Sequence, residues 1–331
     1  MDAQEVAPLP RVISGMRPTG ALHIGHYHGA LVNWLRLQDT HDCFFFVADL
    51  HALTTPQAGP LEPHVYDMVV DWLAAGVDPE RTTLFIQSRL PEHAEAFTLL
   101  AMDTPLAWLE RVPGWRERAA DDAGARNYGF LGYPLLQAAD ILIHKGGLVP
   151  VGEDQQAHLE FTREVARRFN HRHGRVFPEP QALLSQAARV PGLDGAKMSK
   201  SLGNAIGMRE TPERTAELVR AMPTDPQRVR RTDAGDPARC PVWPLHEIHT
   251  DAATREGLAA GCRTAGIGCL DCKQPLIEAI QRLQAPWRER GAELAADPKK
   301  VHWILELGVE RARAVARKTL KEMRAAMGLS Y

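Results

Sequence analysis

The sequence predicts an α/β fold: a doubly wound, parallel, Rossmann-like sheet with a helical insertion, followed by a C-terminal α-helical region. Three observations carry this. Short apolar runs, RVISGM at 11–16, CFFFVADL at 43–50 and TLFIQS at 83–88, alternate with helical patterns, which is how parallel strands joined by crossover helices read. The run at 43–50 is apolar almost throughout rather than at every second position, the pattern of a strand covered on both faces. After about residue 207 only helical patterning remains.

Each element follows in order. Pro18-Thr19-Gly20 turns the chain out of the first strand, and a helical stretch runs through Leu31, Leu35 and Gln38. Val65, Met68, Val69, Trp72 and Leu73 recur at i, i+3, i+4, i+7 and i+8, one apolar helix face, which Gly76 and Pro79 end. Residues from about 92 to 180 read as mainly helical, with loops around Pro113, Gly124 and Gly146-Gly147. The last helix is expected at roughly 299–327, and the chain divides into 1–206 and 207–331.

The chain has 331 residues and is 44% hydrophobic, which excludes a peptide or a disordered protein. A chain of this size buries roughly 75% of its unfolded surface and needs no cross-links to fold. Lys+Arg numbers 39 and Asp+Glu 41, a net charge of -2, so any nucleic-acid partner must be held by local patches. No apolar run approaches the ~20 residues of a membrane span, and the N-terminal MDAQEVAPLPR lacks a signal-peptide pattern. A cytoplasmic protein with no membrane contact is expected, with its five cysteines reduced or metal-bound.

Two segments carry chemistry. The first, Pro18-Thr19-Gly20-Ala21-Leu22-His23-Ile24-Gly25-His26, follows the first strand and opens a helix. A helix N-terminus presents free N–H groups and partial positive charge, which suits phosphate. Gly25 would let a flat ring approach the backbone, and His23 and His26 add donors. Read alone, this is equally a His-rich helix start or, with His28, a metal tract. The second, Gly195-Ala196-Lys197-Met198-Ser199-Lys200-Ser201-Leu202-Gly203, offers two lysines and two serines to phosphate oxygens, though most such loops are merely solvated.

Together, in this order and context, the pair resembles the HIGH and KMSKS motifs of class I aminoacyl-tRNA synthetases. SGMRPTGALHIGHYHGAL (14–31), ADLHALT (48–54), TLFIQS (83–88), GYPLLQAADIL (132–142) and VPVGEDQQAHLEFTREVARRFN (149–170) are similar to the tryptophanyl-tRNA synthetases, well over 11–206 and more loosely beyond. The resemblance implies a tryptophan–tRNA ligase. Tryptophan is activated with ATP to tryptophanyl-adenylate and pyrophosphate, then transferred to tRNA(Trp). The attacking carboxylate is already ionised, so positioning and charge stabilisation suffice. His23 and His26 with Lys197, Ser199 and Lys200 are the implied catalytic groups, and Arg17, Thr19, Gly25, Gly152, Glu153, Asp154 and Met198 complete the ATP site, with Mg2+ arriving on the nucleotide.

Indole offers one N–H on a large apolar ring. A carboxylate in an apolar pocket accepts it and is left unpaired by a ring without the donor. Asp140, within Ala138-Ala139-Asp140-Ile141-Leu142, suits that role, with a helix-capping Asp as the lesser alternative. By resemblance Val149 and Val151 line the ring, and Tyr133 and Gln155 fix the amino and carboxylate groups. His51 lines the pocket or is a satisfied core histidine. Arg17, Gln137 and Ile13 stand where relatives often carry Gln, Met and an aromatic, which predicts a looser ring site that tolerates substituted tryptophans.

Cys240, Cys262, Cys269 and Cys272 form a C-x21-C-x6-C-x2-C pattern that reads as a metal site, zinc or iron–sulfur by spacing alone. The set is similar to that of a subset of bacterial tryptophanyl-tRNA synthetases, which implies a structural [4Fe–4S] cluster in an anticodon-recognition domain, with Zn2+ as the alternative. Cys43 reads as core. Basic candidates for tRNA are Arg163, Arg167, Arg168, Arg172 and Arg175; Arg228, Arg230 and Arg231; and the last helix with Arg311, Arg313, Arg317, Lys318, Lys321 and Arg324, any of which is also an ordinary solvated face. A homodimer is implied by the resemblance. A tyrosyl-tRNA synthetase, a non-catalytic relative and a nucleotidylyltransferase are the competing readings.

Overall fold

Five parallel strands form the centre of the computed structural model, which describes residues 9–55, 59–113, 115, 127–152, 155–184 and 190–331. They are β1 (Arg11–Met16), β2 (Asp42–Val47), β3 (Thr82–Ile86), β4 (Leu148–Val151) and β5 (Gln181–Leu184), in spatial order β3-β2-β1-β4-β5. The chain winds outward from β1 through β2 to β3, then crosses back to lay β4 on the other side of β1. That reversal is the switch point of a doubly wound sheet. β1 and β2 pair along their whole length, Ile13 opposite Phe44, whereas β1 and β4 share one registered pair, Val12 with Leu148. The two strands therefore part company toward their carboxyl ends and open a crevice.

Side chains alternate across the sheet. Val12, Phe45 and Leu84 join one core, while Ile13, Phe44, Phe46 and Phe85 join the other. The first face is covered by the helical run α1 (Ile24–His26), a π-helical turn (Tyr27–Leu31) and α2 (Val32–Leu37), and by α4 (Glu62–Ala75). Trp34 stacks on Phe45 at 4.1 Å there. The second face is covered by α5 (Glu92–Ala101), α7 (Tyr128–Ile143) and α8 (Gln156–His173). Short α3 (Asp49–Ala52) and α6 (Leu106–Leu109) connect these layers.

Residues past 207 are helical: α9 (Pro212–Ala221), α10 (Trp243–His249), α11 (Ala252–Arg263), α12 (Cys269–Ala296) and α13 (Pro298–Ala326). They do not stand apart from the sheet. Ile277, Ile280 and Trp287 of α12 share the first core, and α13 contributes to both. α13 runs along edge strand β3, with Gly308 so close to the Leu84 carbonyl that a Cβ would stand 1.7 Å from its oxygen. A covered edge cannot recruit another strand.

Two expectations need correction. The mainly helical stretch expected at about 92–180 is interrupted by β4 (Leu148–Val151), which belongs to the central sheet, and β5 follows at Gln181. Residues 48–50 do not continue β2 either; Asp49 and Leu50 begin α3.

Candidate functional site

A cavity of about 670 Å³ occupies the crevice between the carboxyl ends of β1 and β4. Ile13, Ser14 and Gly15 line it from β1, Val149, Pro150 and Val151 from β4, and Tyr133, Gln137, Asp140 and Ile141 from α7. The α7 residues lie at i, i+4, i+7 and i+8, one helix face. Arg17, Phe46, Ala48, His51, Thr54, Phe130, Gln155 and His158 complete the wall. Tyr133 Oη lies 2.9 Å from His158 Nε2, and the Gln155 amide donates to the Gly152 carbonyl at 3.1 Å. Arg17 donates to Thr55 Oγ1 at 2.7 Å. Glu153 and Asp154 lie outside the described residues.

Asp140 is 1% exposed and reaches the cavity wall. Its surroundings differ from the hydrocarbon pocket that the sequence suggests. Gln87 Nε2 donates to both carboxylate oxygens at 2.7 and 2.9 Å, His51 Nε2 to Oδ2 at 2.8 Å and His93 Nδ1 to Oδ1 at 2.6 Å. A carboxylate only accepts, so each facing ring nitrogen carries the proton. Burial alone would raise the Asp140 pKa, but the hydrogen bonds from His51 and His93 outweigh it and hold it at about 2. Gln87, His93 and His144, which stands behind His93, were missed from sequence. Gln87 sits in the quoted TLFIQS run, but nothing local ties it to Asp140.

The two lysine- and histidine-bearing segments are clasped together. The Ile24 amide donates to the Ile206 carbonyl at 3.0 Å and the Met208 amide to the Leu22 carbonyl at 2.9 Å. Lys200 Nζ donates to the Thr19 carbonyl at 2.7 Å. Asp71 of α4 accepts from the Leu22 amide and, at 2.5 Å, from Arg209 Nε. The 197–200 loop is held by buried Asn204, which accepts from the Ser199 amide at 2.7 Å and donates to Asp194 at 2.8 Å and the Lys197 carbonyl at 3.1 Å. Met198 is buried, while Lys197 and Lys200 are exposed.

The His23 and His26 rings lie against each other, tilted by 35°, with centroids 3.7 Å apart. Burial and then Lys200 lower the His23 pKa to about 4; burial, then His23, Lys200 and Lys197 lower that of His26 to about 3. Both are neutral at pH 7 and can donate and accept. A Cβ on Gly25 would stand 2.9 Å from the His23 ring, so the missing side chain is what lets that ring fold over the helix start.

The cysteines gather far along the chain. Cys240 follows a single 3-10 turn, Cys262 lies in the last turn of α11, and Cys269 and Cys272 occupy the first turn of α12. Burial and then the other three thiols push Cys272 up to about 12, and Cys262 is raised by burial and its neighbours. Buried Arg228 and Lys273 stand beside them; Arg228 donates to the carbonyls of Arg231 and Ile267, Lys273 to those of Arg220 and Met222. Among the described residues no three His, Cys, Asp or Glu side chains converge in a geometry that holds a metal ion. Cys43 is fully buried in the first core.

Several basic candidates already hold partners within the chain. Arg228 is a buried strut rather than a surface charge. Arg163 and Arg167 pair with Glu160, Arg172 with Asp103, and Arg168 donates to the Asp103 carbonyl. Arg311 and Arg313 donate to the Pro79 and Arg89 carbonyls, and Arg317 pairs with Glu92, tying α13 to the sheet side. Among the described residues no helix is long and apolar enough to cross a membrane.

A nucleotide-type switch-point crevice with a buried acid beside it defines the class. The family described as tRNA synthetases class I (W and Y) matches residues 7–284. The tryptophan–tRNA ligase of Ralstonia nicotianae is 49% identical, over 97% of this chain and 99% of that one. That of Thermotoga maritima is 47% identical, over 97% and 100%. The tryptophanyl-tRNA synthetase of Campylobacter jejuni complexed with ADP and tryptophan superposes with a TM-score of 0.88 at 31% identity, covering 96% of this chain and 100% of that one. The chain belongs to the class I tRNA synthetases for tryptophan and tyrosine, and within them to the tryptophan–tRNA ligases.

Proposed function

We propose that this chain activates L-tryptophan with ATP, releasing pyrophosphate, and transfers the tryptophanyl group to tRNA(Trp). The single observation that carries the specificity is Asp140: a buried, ionised carboxylate opening onto a cavity walled by Ile13, Val149 and Val151, suited to the one N–H of indole. Tyr133 and Gln155 then take the amino and carboxylate ends, while Gln137 in place of a thioether leaves room for ring substituents. Neutral His23 and His26, with Arg17, Thr19, Gly25 and Gly152, bind ATP, and Mg2+ accompanies its phosphates. Lys197, Ser199 and Lys200, on a loop that Asn204 shapes, stabilise the charge that grows on the departing pyrophosphate.

In this reading residues 1–206 carry the chemistry and 207–331 recognise the anticodon, with exposed Arg230 and Arg231 as phosphate contacts. The four thiols hold a structural [4Fe–4S] cluster. The support is the donor set itself: burial and the neighbouring thiols raise Cys262 and Cys272, a cost that a cationic centre relieves, and buried Arg228 and Lys273 offset the net negative charge of a thiolate-bound cluster. Iron and sulfide analysis after anaerobic purification tests this; equimolar zinc without iron refutes it. The active form is a cytoplasmic homodimer. Charging of a tRNA(Trp) transcript tests the whole reaction, and adenylate formation without transfer would refute the ligase role.

A further inference from the structure

Behind Asp140, on the side away from the cavity, stand two histidines that the proposed chemistry does not use. His93 and His144 are both fully buried, and neither lines the cavity. His93 Nδ1 donates to Asp140 Oδ1 at 2.6 Å, and its Nε2 faces His144 Nε2 at 3.0 Å. Two facing nitrogens at that distance share one proton. A His93 ring that donates at Nδ1 and accepts at Nε2 places the His144 proton on Nε2. His144 Nδ1, buried without a hydrogen-bond partner, is then a bare lone pair. Burial lowers the His144 pKa well below its ordinary value, which agrees with a neutral ring.

The acceptor sites of Asp140 can be counted. An ionised carboxylate offers about four. His93 and Gln87 take those of Oδ1, and His51 takes one of Oδ2, which also shares Gln87. Asp140 and His51 line the cavity, whereas Gln87 and His93 do not. Gln87 reaches both oxygens with one nitrogen and holds Oδ2 by the longer contact, 2.9 Å, so Oδ2, which cavity-lining His51 also contacts, is the acceptor least taken up and turned toward the cavity. A carboxyl free to rotate would present no such single site.

We propose that His93, backed by His144, is a positioning residue for substrate selection, anchoring Asp140 so that Oδ2 faces the cavity and favours an aromatic ring with a single edge N–H. This rests on the reading of Asp140 as the indole contact. A ring without the donor strands that acceptor. Loosening the anchor lets Asp140 turn, and the preference shrinks through KM rather than kcat, because the adenylation groups lie elsewhere.

The test is pyrophosphate exchange with L-tryptophan and with its benzothienyl analogue, in which sulfur replaces the ring N–H. His93→Leu is expected to lower the preference for tryptophan by about tenfold, the size of one hydrogen bond to a charged group, mainly as a raised KM. His93→Asn, which keeps a donor near the Nδ1 position, should restore the preference to within about threefold of the native enzyme. His93→Gln, whose donor lies where Nε2 stood, should not. That pair keeps the comparison decisive if the leucine variant fails to fold. An unchanged preference in His93→Leu or His93→Gln, with tryptophan-dependent exchange intact, overturns this inference alone. A native enzyme with no preference for the N–H ring overturns the Asp140 reading and this inference with it.

Discussion

Asp71→Ala is expected to loosen the clasp between the two nucleotide-binding segments. Asp71 is 1% exposed and joins the Leu22 amide to Arg209, so it ties the residue before His23 to the chain just beyond the 197–200 loop. Breaking a buried pair by removing one partner costs about 3–5 kcal/mol. The Arg209 side chain keeps 23% exposure and a second contact with Asp67 at 3.7 Å, so water and Asp67 take up part of its charge and the loss falls at the lower end, ~3 kcal/mol. At about 2 °C per kcal/mol for a chain of this size, Tm falls by ~6 °C. Asp71→Asn keeps an acceptor for the Leu22 amide and loses only the ion pair, so about half the effect is expected. Thermal melts and the KM for ATP in pyrophosphate exchange measure both sides, and KM should rise several-fold. A fall of less than about 2 °C with an unchanged KM would refute the clasp.

Asn204→Ala removes three hydrogen bonds that shape the 197–200 loop; kcat for exchange should fall by about tenfold or more with little change in the KM for tryptophan, read by steady-state kinetics. His23 and His26 stay neutral in the folded protein down to about pH 4 and about pH 3, while an unfolded histidine titrates near ~6.5. Below that value the unfolded chain binds protons that the native state refuses, so stability is lost as pH falls. His26→Asn should flatten that slope as pH falls from about 6.5 toward about 4, measured by urea midpoints; an unchanged slope would place a charged ring in the native site.

How much of this was legible follows from where each signal lives. β1, β2 and β3 are dense in buried apolar residues and read directly. β4 is four residues long and carries Pro150, and β5 is an exposed edge with no buried position, so neither writes a period into the sequence. Asp140 was legible as an acid in an apolar helix run. Its polar shell was not, because Gln87, His51 and His93 come from three other elements and meet it only in the folded chain. The arginines show the same limit. Their crowding in sequence suggested a basic surface, yet Arg168 and Arg172 are occupied by the Asp103 residue, and buried Arg228 by the Arg231 and Ile267 carbonyls. Asn204 and Asp71, which shape and join the motif loops, carry no motif letter of their own.

Pyrophosphate exchange with tryptophan and tyrosine side by side, on the native protein and on Asp140→Ala, tests the central claim most directly. Exchange driven by tryptophan and not by tyrosine, falling by about a hundredfold when the carboxylate is removed, is the predicted result. Equal use of tyrosine, or a variant that still selects tryptophan as the native protein does, would contradict it.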